Sequence, residues 1–179
     1  MLISSVYGSG GNIPDITINA FLVDDCNKIY VSGWGSNSED IPGKTLSNMP
    51  LSADAFQKTT DGQDFHLVVF EEDIADLSYA TYFGGNQTGD HVDGGTSRFD
   101  KRGIVYQSVC SSCPENPLSS RISDFPTTPG AYSESNPSPR CSNASFKMAV
   151  VPFNLPPSIS PQNFVTNVID TLNIQIGDT

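Results

Sequence analysis

The residues with the most chemistry to offer are the four cysteines, Cys26, Cys110, Cys113 and Cys141, and the stretch Thr88-Gly89-Asp90-His91-Val92-Asp93-Gly94-Gly95. Cys110-Ser111-Ser112-Cys113 has the spacing of a redox dithiol, but it sits in a Ser- and Pro-rich stretch after a strand. A thioredoxin-like site needs a strand-to-helix turn instead. Zinc would need two further ligands, and Cys26, Cys141, His66 and His91 are all distant in sequence, so one CxxC is a weak zinc signal. The preferred reading is a structural disulfide from Cys110 or Cys113 to Cys141. Closing a loop of about 30 residues would stabilise the fold by roughly 3 to 4 kcal/mol.

The acidic stretch supplies hard oxygen ligands and glycines for tight turning, which makes Asp90 and Asp93 the calcium candidates. It lacks the ligand spacing and terminal glutamate of an EF-hand loop, and reads first as a turn between blades. Asp24 and Asp100 read as turn formers, and Glu71-Glu72-Asp73 with Asp76 as a solvated turn. Gly8-Ser9-Gly10-Gly11 is not a nucleophile elbow, and no glycine cluster is followed by the Lys-Ser/Thr of a phosphate loop. His66 reads as an outward-facing strand residue, with Lys147 as its counterpart. Trp34 and Tyr30 could stack on a sugar, but their strand reads as buried and core packing is preferred. Asn86-Gln87-Thr88 and Asn143-Ala144-Ser145 fit the glycosylation pattern. No catalytic residue and no cofactor site is assigned.

The elements that must position these residues come from an internal repeat: residues 6–56 align with 82–132, without a gap, at an offset of 76. Val23 to Ser32 falls on Phe99 to Ser108, a strand, polar turn and strand written twice. Met49-Pro50 falls on Phe125-Pro126, Ala55-Phe56 on Ala131-Tyr132, and Tyr7-Gly8-Ser9 on Phe83-Gly84-Gly85. Strands are predicted at 16–23, 29–34, 65–70 and 77–83, rich in β-branched and aromatic residues. The second repeat predicts strands at 94–99, 104–109 and 146–151, with Phe146 echoing Phe65. Beyond residue 151 the pattern is interrupted by Pro152, Pro156 and Pro157. Polar insertions at 35–48 and 111–124 fall at one place in each repeat, hence on one rim.

The expected fold is therefore all-β: two four-stranded antiparallel, propeller-like blades, a fragment of a larger β-propeller. The first repeat spans 1–85, with the end of a preceding blade at 1–11, and the second spans 86–157. The tail, 158–179, with strand-like runs at 163–168 and 171–176, either closes that blade or opens another domain.

Three pieces, Ile29 to Trp34, Asp124 to Tyr132 and Tyr79 to Gly85, resemble the bacterial seven-bladed beta-propeller repeat called SBBP. The version they are most similar to occurs in large surface proteins associated with gliding motility in Bacteroidetes-type bacteria. The resemblance covers roughly residues 6–155. It implies export to the cell surface and a scaffold, adhesion or motility-associated role, with no catalytic residues to carry over. A closed propeller needs at least about four blades, and two are legible.

Composition sets the outer limits. Acidic residues outnumber basic ones 20 to 9, and the net charge of −11 disfavours nucleic acid and anionic lipid as partners. No segment approaches the roughly 18 apolar residues of a membrane span. The start, Met1-Leu2-Ile3-Ser4-Ser5, lacks the features of a secretory signal, while the cysteines favour an oxidising compartment. The chain is thus expected to be extracellular or on the cell surface, as a segment of a longer exported protein or the product of a gene truncated at both ends. Its partners would be other blades or domains of that protein, and a surface glycan or protein. The alternatives are a carbohydrate- or calcium-dependent binding module and a fragment of a sialidase-like propeller glycoside hydrolase. The hydrolase is hinted at by Thr60-Asp61-Gly62-Gln63-Asp64-Phe65 without an accompanying arginine cluster.

Overall fold

The computed structural model describes residues 2–35, 45–92, 97–100, 103–113, 123–135, 138 and 140–149. The described residues form two four-stranded antiparallel sheets and no helix. None of them forms a helix long and apolar enough to cross a membrane.

The first sheet is a meander of β1 (Thr17–Val23), β2 (Ile29–Trp34), β3 (Phe65–Phe70) and β4 (Leu77–Phe83), in that spatial order. All four match the predicted segments, β1 starting one residue later. The β1–β2 turn is built by Asp24, whose carboxylate accepts the Cys26 and Lys28 amides while its carbonyl accepts that of Asn27. Asn27 carries the left-handed conformation this turn requires, φ 61°.

The second sheet contains β5 (Gly89–His91), β6 (Ser97–Asp100), β7 (Ile104–Cys113) and β8 (Ser142–Ala149). It is not a second meander: β5 and β6 lie end to end along one side of β7, and β8 runs along the other. Compared with prediction, β5 is additional, β6 covers the described part of the predicted segment and runs on to Asp100, residues 94–96 lying outside the described residues, and β7 runs on to Cys113. β8 begins at Ser142, four residues early. The stretch expected to supply a further strand and the tail, 158–179, lie outside the described residues.

The offset of 76 holds through the hairpins, because Phe21 pairs with Val31 as Ser97 pairs with Gln107. The third strands require a correction. Val31 pairs with Val68, and Gln107 pairs with Phe146, so Phe146 stands where Val68 does and not where Phe65 does. A slip of three residues matters because side chains alternate between faces with period two. His66 accordingly has Ala144 as its counterpart, not Lys147.

The two sheets pack face to face around Tyr30, Phe65, Leu67, Val69 and Phe83 from the first and Val105, Val109 and Phe146 from the second, with Phe125 inserted. Phe83 meets Phe146 at 4.5 Å and Phe125 edge-on at 5.5 Å between ring centroids. Each fully buried side chain of this size contributes about 1.5 to 3 kcal/mol of transfer free energy, so this layer dominates the stability of the pair.

The packing is head to tail. Tyr30 points from the first sheet into the shared core, 1% exposed, whereas its counterpart Tyr106 points from the second sheet away from it, 38% exposed. In each repeat the segment carrying the apolar-Pro step covers the same face of its own sheet. Met49 packs with Tyr82 and Leu46 on the far side of the first sheet, and Phe125 packs between the sheets on the second. The outer face of the second sheet is chemically different from the face it repeats. Asn143, Ser145 and Lys147 occupy the places of Phe65, Leu67 and Val69, and the Ser108 and Ser145 hydroxyls are hydrogen-bonded at 2.9 Å.

Candidate functional site

The densest chemistry lies where β5 meets the end of β7. The pairing slips between Gly89↔Cys113 and His91↔Cys110, and Ser112 adopts a left-handed conformation, φ 53°. In a regular strand, residues three apart point to opposite faces. Here the bend brings the Cys110 and Cys113 sulfurs to 3.6 Å and places His91 Nδ1 3.7 Å from Cys113 Sγ. The bend is clasped from behind by Asp90, which accepts the Ser112 amide on Oδ1 at 3.0 Å and the Gly85 amide on Oδ2 at 2.8 Å. Cys141 arrives just before β8, whose Ser142 pairs with Ser111, and forms a disulfide with Cys113 across 28 residues. Of the pairings expected from sequence, this selects Cys113 over Cys110. Cys26 lies exposed at the β1–β2 turn, away from the other three.

Behind the cysteines lies a layer of carboxyl groups. Asp64 and Asp90 are both buried, and burial pushes each up to about 7, with repulsion from Asp61 and Asp124 adding to it at Asp64 and from Asp64 and Asp124 at Asp90. Asp124 accepts the Asn86 and Gln87 amides at 2.7 Å each and bonds the Thr88 hydroxyl. The stretch after β4 is thus held as a turn by carboxyl groups whose oxygens accept from backbone amides and the Thr88 hydroxyl. Asp90, a calcium candidate from sequence, is placed as a backbone clasp, and Asp93 lies outside the described residues. The first repeat repeats this device, since Asp15 accepts the Ser9 amide at 3.0 Å.

The turn that hinted at a hydrolase is tied into the framework. Asp61 accepts the Gln63 amide on Oδ1, the Gly62 carbonyl accepts from Leu46, the Gln63 carbonyl from Asp90, and the Asp64 carbonyl from Gly35. Beside it runs a groove of about 550 Å³, lined by Leu46, Asn48, Met49, Lys58 and Tyr82 among others. Tyr82 is 3% exposed and presents no ring face on which a sugar could stack. Tyr30 is buried, with its hydroxyl donating to Asp24 at 2.9 Å, and Trp34 packs partly buried with its ring 5.5 Å from that of His91. His66 is not outward-facing: the 49–51 segment covers it, its Nε2 lies 2.9 Å from the Pro50 carbonyl, and burial lowers its basicity. Asn86 and Asn143 are both exposed.

Among the described residues, His91, Cys110 and Cys113 form the one group of three that could hold a metal ion, their ligand atoms all within 4.8 Å of one another. The meeting of His91 with the CxxC was not legible from sequence, because a three-residue strand carries too little periodicity to be predicted. No protein-family model, no curated protein and no solved structure matches this chain.

Proposed function

We propose that the chain is a non-enzymatic repeat module of an exported bacterial surface protein, serving as a scaffold or adhesive surface within a propeller-like array. The observation that carries this reading is the head-to-tail packing of two equivalent hairpins. In this arrangement each sheet presents the same face to the same side, as the layers of a propeller or solenoid do. Further support comes from where the polar chemistry is spent. Asp15, Asp24, Asp90 and Asp124 all hold backbone amides, and the turn at 60–64 anchors neighbouring strands. The mechanism is contact through the polar insertions at 35–48 and 111–124.

A membrane-impermeant amine label applied to intact source cells tests the location. Lys58 on the exposed surface should be labelled before lysis, and labelling only after lysis overturns the reading. A parallel screen with sialosides and other glycosides, with and without calcium, should show no turnover. Turnover abolished by Asp61→Asn would favour the hydrolase instead.

A further inference from the structure

We propose that, once the Cys113–Cys141 disulfide is reduced, Cys110, Cys113, Cys141 and His91 form a tetrahedral site for a thiophilic divalent cation, zinc by its ligand chemistry. Three thiolates and one imidazole are a standard closed zinc set, with Zn–S of about 2.3 Å and Zn–N of about 2.0 to 2.1 Å. A tetrahedron with those radii has S–S edges of about 3.8 Å and S–N edges of about 3.6 Å. The observed separations, 3.6 Å between the Cys110 and Cys113 sulfurs and 3.7 Å from Cys113 Sγ to His91 Nδ1, are such edges. His91, Cys110 and Cys113 supply three corners, and Cys141 stands outside that group; freed from its bond to Cys113, its sulfur takes the fourth corner by turning toward the other three.

Three separate elements converge on this point: β5 brings His91, the left-handed Ser112 folds the two ends of the CxxC together, and Cys141 enters ahead of β8. Asp90 holds the knuckle from outside by accepting the Ser112 amide. Such a partner behind the ligands fixes their orientation.

The disulfide and the metal exclude each other. A dithiol reductant delivers two electrons and two protons: the Cys113–Cys141 bond breaks, each sulfur gains a proton, and the reductant closes to its own disulfide. Zinc then binds as the three thiol protons pass to solvent. The site would thus be bridged in an oxidising compartment and metallated in a reducing one.

The test uses the full chain, either oxidised or reduced with a dithiol and desalted without oxygen, titrated with cobalt and then zinc. The reduced chain should take up one equivalent of cobalt with the absorption of tetrahedral thiolate coordination, and zinc should displace it. The oxidised chain should bind neither. Replacing Cys110 or Cys141 with Ser should weaken binding at least about tenfold, and Cys26→Ser should leave it unchanged. Because a variant can fail to fold, alkylation of the unmutated reduced chain gives an independent readout, with zinc protecting Cys110, Cys113 and Cys141 and leaving Cys26 reactive. Absence of tetrahedral cobalt in the reduced chain, equal binding by the oxidised chain, or protection of Cys26 alone would overturn the proposal.

Discussion

Asp64 and Asp90 press on the same glycine from two sides: a β-carbon on Gly84 would collide with Asp64 Oδ1 and lie 2.8 Å from Asp90 Oδ2. Burial raises the proton affinity of both carboxyl groups, and the charge on Asp64 raises that of Asp90 further. The close approach of backbone to carboxyl is what requires glycine here.

Stability should therefore fall as pH rises from about 4 to about 7 and level off above that. In the folded chain both groups keep their protons up to about 7, whereas unfolded they release them near the ordinary value of 3.8. Between these values the folded state binds more protons, so stability decreases with pH, by at most about 1.4 kcal/mol per pH unit for each group. Thermal unfolding measured between about pH 5 and pH 8 checks this. Asp64→Asn should flatten the profile, and a melting temperature that rises over that range would contradict it.

Loss of the disulfide should be costly. Cys141→Ser opens a loop of 28 residues, for which chain entropy predicts a loss of about 3 to 4 kcal/mol. Denaturant unfolding should show this loss in Cys141→Ser and in the reduced parent, and no loss in Cys26→Ser.

The shared core should be sensitive at Phe83, whose ring meets both Phe125 and Phe146. Phe83→Ala should destabilise by about 3 to 5 kcal/mol. Tyr132→Ala, at a fully exposed site, should stay within about 0.5 kcal/mol of the parent. Equal effects in the two unfolding curves would contradict the packing described.

Gln107 points into the core with neither amide atom hydrogen-bonded among the described residues. A buried amide left unpaired costs about 1 to 3 kcal/mol. The nearly isosteric Gln107→Met should raise stability by part of that amount, read as a higher denaturation midpoint. A lower midpoint would show that the amide is paired.

The first sheet was legible because each strand is a run of β-branched or aromatic residues closed by a turn with its own chemistry, as at Asp24 and Asn27. The second was read less well because likeness of side chains misled the alignment. Phe146 resembles Phe65 in type, but the ladder pairs it as Val68 is paired, an odd shift that reverses every face. Burial of His66 depends on a segment 16 residues upstream folding back over the strand. The cluster at His91 depends on a backbone bend at Ser112 that a serine does not announce. Both are consequences of tertiary placement, which local pattern does not encode.

The shared direction of Tyr30 and Tyr106 has a consequence for symmetry. The operation that carries the first hairpin onto the second is not its own inverse, as a twofold would be, so the contact is heterologous and in principle open-ended. Chemistry gives it a stop. Applying the operation once more would desolvate Lys147 together with Asn143 and Ser145, in the places where the preceding layer offers Val69, Phe65 and Leu67. The arrangement is therefore polar in the crystallographer's sense: its two ends are inequivalent, and the end bearing Lys147 favours water over another copy of the same layer.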